Sequence, residues 1–178
     1  MSAIQRLTFG SGCSCSLDPL SQSRFLAFNA ARRLEDKGAC VELVDLQEMM
    51  LPAFDNAPAH DHAGVVRLKD AIVSADAVVI AAPVYNWSLG SATKNMVEIP
   101  VRLVRTAGRL PGSINLLPSY VGGLPHSYTA YTGLASSMTL DFRCIINPYM
   151  VYATDRDATD GVFSEAVARR MQKTVASD

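Results

Sequence analysis

The chain has 178 residues, of which 49% are hydrophobic and 19% charged, and its formal net charge at pH 7 is −1. This length fits a single domain over residues 1–178, and the apolar fraction excludes a disordered chain. The near-zero charge argues against nucleic acid and membrane surfaces as partners, because both attract an excess of Lys and Arg. Four cysteines and no apolar signal core predict a cytoplasmic protein without a disulfide scaffold.

Strand-like and helix-like segments alternate along the chain. The predicted strands are residues 4–9, 41–46, 77–82, 113–120 and 145–152. The predicted helices are residues 21–38, 65–74, 91–107, 128–140 and 161–175, with Gly38 ending the first and Pro100 kinking the third. Five strands alternating with helices predict an open α/β sheet. The unbroken apolar run 77–82 is typical of a central parallel strand covered on both faces.

Three unusual loops follow predicted strands, and ligands of open α/β sheets bind at the carboxyl ends of strands. The first loop, residues 10–23, offers Ser hydroxyls and a helix N-terminus that can hold a phosphate. The alternative, given equal weight, is a flexible turn in which Ser21 or Ser23 only caps the helix. A Walker loop is excluded, since no Gly-Lys-Ser or Gly-Lys-Thr follows.

The other two loops favour a flat ligand. In residues 83–91, Tyr85 and Trp87 flank Asn86, an arrangement that can line a planar ring and offer backbone donors to its edge. The alternative for Trp87 is a packed core residue or a surface anchor. In residues 119–126, the pair Gly122 and Gly123 allows close backbone approach or positive φ.

The segment 81–95 resembles the Pro-x-Tyr-Asn-x-Ser…Lys-Asn segment of NADPH-dependent FMN reductases. It reads Ala-Ala-Pro-Val-Tyr-Asn-Trp-Ser-Leu-Gly-Ser-Ala-Thr-Lys-Asn. The pair Gly10-Ser11, the later Ser21-x-Ser23, and Ser119 with Gly122-Gly123 fall in matching order. The resemblance implies a flavodoxin-like five-stranded parallel sheet, in the order 2-1-3-4-5, with helices on both faces.

The resemblance also implies the cofactors FMN and NADPH and a role for each loop. The phosphate would be held by Ser11, Ser16, Ser21 and Ser23. The flavin ring and ribityl chain would pack on Pro83, Tyr85, Asn86, Trp87 and Ser88. The ring edge would face Ser119, Gly122 and Gly123. Lys94 and Asn95 also match the family segment, with a structural role as the alternative because they lie on a helix.

Departures from the family pattern concern the phosphate end. The family often has an Arg two residues after the Gly-Ser pair, where this chain has Cys13, and the first loop is about five residues longer. Loss of one charge-assisted contact costs about 1.5–3 kcal/mol, which is about tenfold to a hundredfold in affinity. Arg24 in the first helical turn is another possible source of positive charge. A domain with a degraded FMN site is therefore an alternative.

The implied activity is hydride transfer from NADPH to FMN and on to a small-molecule electron acceptor. The acceptor could be a free flavin, a quinone, a nitro compound or a metal oxyanion. We name no catalytic acid–base residue, because hydride transfer needs none, and we expect no metal site. The alternative is an electron carrier, although carriers usually present an acidic face and the net charge here is −1.

One stretch of the chain carries no Lys, Arg, Asp or Glu. It covers the 31 residues between Arg109 and Asp141, where average usage in this chain predicts about six charges. Its second half is the predicted helix from Tyr128 to Leu140, which has no charged face. Surface helices normally keep one, so we expect this helix to form the interface of a homodimer or homotetramer.

Overall fold

The computed structural model describes residues 9–55, 58–101, 115–121, 124–140, 144–159 and 162–176. The strands are β1 (Phe9–Ser14), β2 (Cys40–Asp45), β3 (Ala77–Tyr85), β4 (Ser88–Leu89), β5 (Asn115–Val121), β6 (Val151–Ala153), β7 (Ala158–Thr159) and β8 (Val162–Phe163). The α-helices are α1 (Gln22–Glu35), α2 (Leu46–Met49), α3 (Ala63–Ser74), α4 (Ser91–Met96), α5 (Leu124–Leu140) and α6 (Glu165–Ala176).

The central sheet has the strand order β2-β1-β3-β5-β6, and each of these neighbouring pairs is parallel. Strand β4 pairs antiparallel with the end of β3, while β7 and β8 form a separate hairpin. The predicted α/β class is confirmed, and the five parallel strands follow each other in the predicted order. Strand order reverses between β1 and β3, so the crevice beyond their carboxyl ends is the expected ligand position.

The apolar run of β3 is buried on both faces because alternate side chains enter different core clusters. Val78 and Ile80 pack in the larger cluster with residues of α3 and α5 such as Leu68 and Leu134. Ala81 packs on the opposite face with residues of α1 and α6 such as Leu26. Because both faces of this strand are covered, a polar side chain at any position would be buried, which explains why residues 77–82 are all apolar. The prediction of helices on both faces is therefore confirmed.

Helix α1, predicted over residues 21–38, spans Gln22–Glu35. The Ser21 hydroxyl accepts a hydrogen bond from the backbone N–H of Ser23 at 3.2 Å, which caps the helix N-terminus. The helix ends at Glu35, and the chain leaves it through Gly38 with φ of 88°. Only glycine adopts this backbone conformation without steric cost, so Gly38 terminates the helix as predicted.

Several predicted boundaries differ from the structure, among them those of the third helix, the fifth parallel strand and the last helix. The α-helical part of the third predicted helix ends at Met96, and a π-helical turn, Val97–Val101, contains Pro100; residues 102–107 lie outside the described residues. The fifth parallel strand is only Val151–Ala153. Helix α6 begins at Glu165 rather than 161, because residues 162 and 163 pair in the β7–β8 hairpin.

Candidate functional site

The first loop is shorter than the sequence predicts, because its first residues belong to β1. Ser11 lies inside this strand, with Glu42 as its partner in β2 and Val78 in β3. The strand continues to Ser14, and the Cys15 N–H then donates to the Ala81 carbonyl at 2.9 Å. The prediction of a loop starting at Gly10 is therefore wrong, and Ser11 is not part of the loop at the carboxyl end of β1.

The later end of β1 changes the interpretation of the two departures from the family pattern, which are Cys13 and the longer first loop. The apparent extra loop length is strand, since the residues between Ser14 and the helix cap Ser21 are only Cys15 to Leu20. Cys13 is fully buried within β1, so a side chain at that position does not reach a ligand in the loop. Neither feature therefore counts as a lost phosphate contact.

The serines of the shortened loop are held by hydrogen bonds within it. The buried Ser16 hydroxyl accepts from the Asp18 N–H at 3.1 Å, and an Asp18 carboxylate oxygen accepts from the Leu20 N–H at 2.9 Å. The Ser21 and Ser23 hydroxyls lie 2.8 Å apart and share a hydrogen bond. The structure thus brings together Ser16, Ser21 and Ser23 of the predicted phosphate residues.

The positive charge beside this loop is already paired. Arg24 Nε lies 2.6 Å from a carboxylate oxygen of Asp45, and its Nη2 lies 3.8 Å from Glu48. Asp45 is buried, and its other carboxylate oxygen caps α2 by accepting from the Gln47 N–H at 3.1 Å. A buried carboxylate that loses its only cationic partner is strongly destabilising. Arg24 is therefore committed to Asp45 rather than free for a ligand.

The predicted second loop is a β-hairpin. Strand β3 continues through Pro83 and Tyr85, and Ser88 begins β4. Asn86 and Trp87 form the turn with φ of 48° and 65°. A positive φ at both central residues is the hairpin geometry that usually needs Asn-Gly, so Trp87 holds a strained backbone at a cost of about 1–3 kcal/mol. The interpretation of residues 83–91 as an open loop is wrong.

This hairpin exposes its aromatic side chains at the carboxyl edge of the sheet. Tyr85 is 55% exposed and Trp87 is 52% exposed, whereas Pro83 is buried. The Trp87 ring stacks on His126 with centroids 3.8 Å apart and an interplanar angle of 31°. The stack connects the hairpin to the first turn of α5, so the second and third predicted loops meet here.

The third loop is described only in part. Ser119 lies inside β5, paired with Ala81 and Val151, so the predicted strand 113–120 rightly includes it and the third loop starts later than Ser119. Gly122 and Gly123 lie outside the described residues. His126, which the sequence analysis did not single out, has a buried Nδ1 without a hydrogen-bond partner among the described residues. A lone His after a Gly-Gly pair carried no signal, because its stacking partner is 39 residues away in the chain.

The Lys-Asn pair of the family segment has a structural role. The Asn95 amide donates to the Pro52 carbonyl at 2.8 Å, and its oxygen accepts from the Phe54 N–H at 2.9 Å. Lys94 forms a surface ion pair at 2.7 Å with Glu98 of the π-helical turn that follows α4. Asn95 therefore attaches the segment after α2 to the helix that follows the hairpin, which supports the site from behind.

Burial makes the thiols of Cys15 and Cys144 hard to ionise. Burial raises the pKa of Cys15 well above its ordinary value of 9.0, and neighbouring Cys13 raises it further. Burial likewise raises the pKa of Cys144 to about 11. Thiols that stay protonated at neutral pH are poor nucleophiles and poor metal ligands. Within the ranges that the structure describes, no group of three His, Cys, Asp or Glu is arranged to hold a metal.

Residues 12–155 match the family model described as NADPH-dependent FMN reductase. The chain belongs to this family. It is accordingly an oxidoreductase, and the cofactors of the family are FMN and NAD(P)H. None of the described helices combines the length and apolar character that a membrane span needs.

Solved structures support the same fold. FerB from Paracoccus denitrificans, a flavoenzyme NAD(P)H:(acceptor) oxidoreductase, is 22% identical with a TM-score of 0.72, over 94% of this chain and 93% of FerB. An oxidoreductase from Corynebacterium diphtheriae is 15% identical with a TM-score of 0.72, over 95% and 93%. The NADH:FMN oxidoreductase EMOB is 16% identical with a TM-score of 0.70, over 95% and 86%.

The residues at the carboxyl edge fit a flavin. The exposed rings of Tyr85 and Trp87 offer apolar area for a flat ring system. At the end of β1, the buried Ser14 hydroxyl has no hydrogen-bond partner among the described residues, and neither does the buried side-chain oxygen of Gln22. Buried polar atoms of this kind are suited to a ligand chain that carries hydroxyl groups.

Proposed function

We propose that the chain is a flavin-dependent reductase that moves a hydride from NADPH to bound FMN and on to a small acceptor. The acceptor classes are a free flavin, a quinone, a nitro compound or a metal oxyanion. The observation that carries the proposal is that the first loop, the β3–β4 hairpin and the start of α5 all lie at the carboxyl ends of the central strands, where the hairpin and α5 are in contact through Trp87 and His126. The family match supports FMN as the ligand of that edge.

The proposed binding residues follow from where each lies. The phosphate end is the loop with Ser16, Ser21 and Ser23, and Ser11 is left out because it lies in β1. The ring end consists of Pro83, Tyr85, Asn86, Trp87 and Ser88, with Gly122 and Gly123 expected at the ring edge. NADPH would bind beside the flavin at this edge of the sheet, which is open to solvent around Tyr85 and Trp87.

Bound FMN supplies the hydride chemistry, and the protein supplies orientation and a water-poor surface. Trp87 and Tyr85 provide the apolar area, and the stack of Trp87 on His126 fixes the hairpin relative to α5. The turn at Asn86 and Trp87, with positive φ at both residues, places the Trp87 ring beside His126. No side chain is assigned a proton transfer, because hydride transfer to a flavin requires none.

We also propose that the chain forms a homodimer or homotetramer through α5. Ala130, Leu134 and Met138 of this helix are buried in the core, while Tyr128 and Leu140 are exposed. The rest of its outer face is uncharged, as the sequence predicts. Light scattering at micromolar concentration tests this: a dimer or tetramer supports it, and a monomer contradicts it.

A cytoplasmic location and a single domain complete the proposal. All four cysteines are free, as expected for a protein of a reducing compartment. Both core clusters on the two faces of the sheet use β3, which is how one domain is built.

The proposed activity is tested with the purified full-length chain. FMN is titrated into the protein by fluorescence, and NADPH oxidation is followed with and without FMN. We expect saturable FMN binding and NADPH consumption that depends on FMN. Absence of both contradicts the proposal. Stopped-flow mixing with NADPH separates the electron carrier, whose bound flavin would keep its colour.

A further inference from the structure

The loop proposed for the flavin phosphate contains a carboxylate, that of Asp18. The side chain is exposed and turned back onto its own loop, where one oxygen accepts from the Leu20 N–H at 2.9 Å. The same residue's N–H donates to Ser16 Oγ, and its carbonyl accepts from the Ser21 N–H at 3.1 Å. Asp18 therefore places an anionic side chain at the centre of the loop, where a bound phosphate would otherwise accept these hydrogen bonds.

Four backbone donors in and beside this loop are already used. The N–H groups of Asp18, Leu20, Ser21 and Ser23 all donate to acceptors inside the loop. A phosphate could take them only by displacing these acceptors. Hydroxyl groups of a neutral ligand, in contrast, can donate to the exposed carboxylate and to the unpartnered side-chain oxygen of Gln22.

Arg24 does not offset the carboxylate. It makes ion pairs with Asp45 at 2.6 Å and Glu48 at 3.8 Å, and releasing it would leave the Asp45 carboxylate buried and unpaired. The described acidic groups of the loop and the adjoining start of α2 are Asp18, Asp45 and Glu48, against the single cation Arg24. A flavin phosphate carries a charge of about −1.5 to −2 at pH 7, so it meets repulsion here.

We infer that Asp18 is a specificity residue that removes the advantage of the flavin phosphate. The ring end then carries the affinity, riboflavin binds about as tightly as FMN, and the flavin exchanges with solvent as a dissociable ligand. This inference rests on the proposed function, because it assigns the flavin to the same edge of the sheet. The ligand class of the site is then flavins with or without a phosphate, rather than FMN alone.

The test compares dissociation constants of FMN and riboflavin, measured by flavin fluorescence, for the natural chain, D18N and the control D70N. Asn keeps an oxygen that can accept from the Leu20 N–H, removes the charge and replaces the second oxygen with an NH2 donor. Asp70 lies on α3 with an exposed side chain. We expect D18N to tighten FMN about tenfold, from one charge removed near a dianion, and to leave riboflavin unchanged. D70N should change neither constant.

Ionic strength gives a second readout. Salt screens repulsion, so raising salt should tighten FMN relative to riboflavin in the natural chain, and D18N should lack this effect. The inference is overturned if the natural chain binds FMN about a hundredfold tighter than riboflavin, or if salt weakens FMN selectively. It is also overturned if D18N leaves FMN binding unchanged. Failure of every variant to bind either flavin overturns the proposed function as well.

Discussion

The two ends of the proposed flavin site are built on opposite principles. The β3–β4 hairpin presents half-exposed aromatic rings on a strained turn, whereas the first loop satisfies its polar groups internally and carries its own anion. The hairpin thus has exposed rings available for a ligand, whereas the Asp18 carboxylate in the loop already accepts the kind of hydrogen bond that an external anion would accept. Similar positions at the carboxyl edge of one sheet therefore do not imply similar contributions to binding.

The largest expected effect concerns the support of the ring end. N95A removes both hydrogen bonds to residues 52 and 54 and leaves a backbone carbonyl and N–H without these partners. We expect a loss of about 2–3 kcal/mol in the free energy of unfolding, measured in urea. The neighbouring K94A, which breaks only an exposed ion pair, should cost less than about 0.5 kcal/mol. Equal losses in both variants would refute the role of Asn95.

The aromatic surface of the ring end is tested next. W87A removes the half-exposed ring and its stack on His126, so we expect flavin affinity to fall about tenfold. W87F, which keeps a ring, should recover most of this affinity. Tyr149 is about as exposed but lies before β6, at the opposite edge of the sheet, so Y149A serves as the control. Equal flavin titrations for W87A and Y149A would refute a ring-binding role.

The smallest effect concerns the segment beside the first loop, where Ala158 lines a cavity with Pro19 and Leu20. Asp157 accepts from the Thr154 N–H at 2.8 Å, and this hydrogen bond lowers the pKa of its carboxyl below the ordinary 3.8. The stabilisation it gives is therefore complete above pH 3.8 and is lost as pH falls through the lowered folded pKa.

D157N should consequently lower stability at pH 7 by about 1 kcal/mol or less, and the difference from the natural chain should vanish at low pH. Thermal unfolding from about pH 2.5 to about pH 7 measures how the difference in stability between the two chains changes as the Asp157 carboxyl titrates. D155N, in the same turn but exposed, is the matched control. A stability difference that grows toward acid pH would show that the sign is wrong.

Much of the fold could be predicted because its signals are local. The apolar run of β3, the cap Ser21 and the terminating Gly38 each follow from residue type within a few positions. The part of β1 after Phe9 was not predicted, because its sequence Gly-Ser-Gly-Cys-Ser is poor in strand-forming residues, while residues 4–8 of the predicted strand lie outside the described residues. Its conformation comes from pairing with β2 and β3 on both sides, which no short window of sequence contains.

The site was predictable in its chemistry but not in its backbone. The aromatic pair around Asn86 indicated a flat ligand, yet a tight turn with Trp87 at positive φ contradicts ordinary turn preferences and could not be foreseen. The partners of Asn95 and Trp87 are likewise distant in sequence. The sign of the net charge at the first loop could not be predicted either, because it depends on the ion pair between Arg24 and Asp45.

The reactivity of the buried cysteines toward a thiol reagent can be used to measure how often the core of the folded chain opens. Cys13, Cys15 and Cys144 are buried, while Cys40 is exposed at the start of β2. A thiol reagent therefore modifies one cysteine of the folded chain rapidly and reaches the other three only when the core opens. Because Cys13 and Cys15 flank the end of β1, their rate of labelling would record how often the strand beneath the proposed flavin site separates from its neighbours.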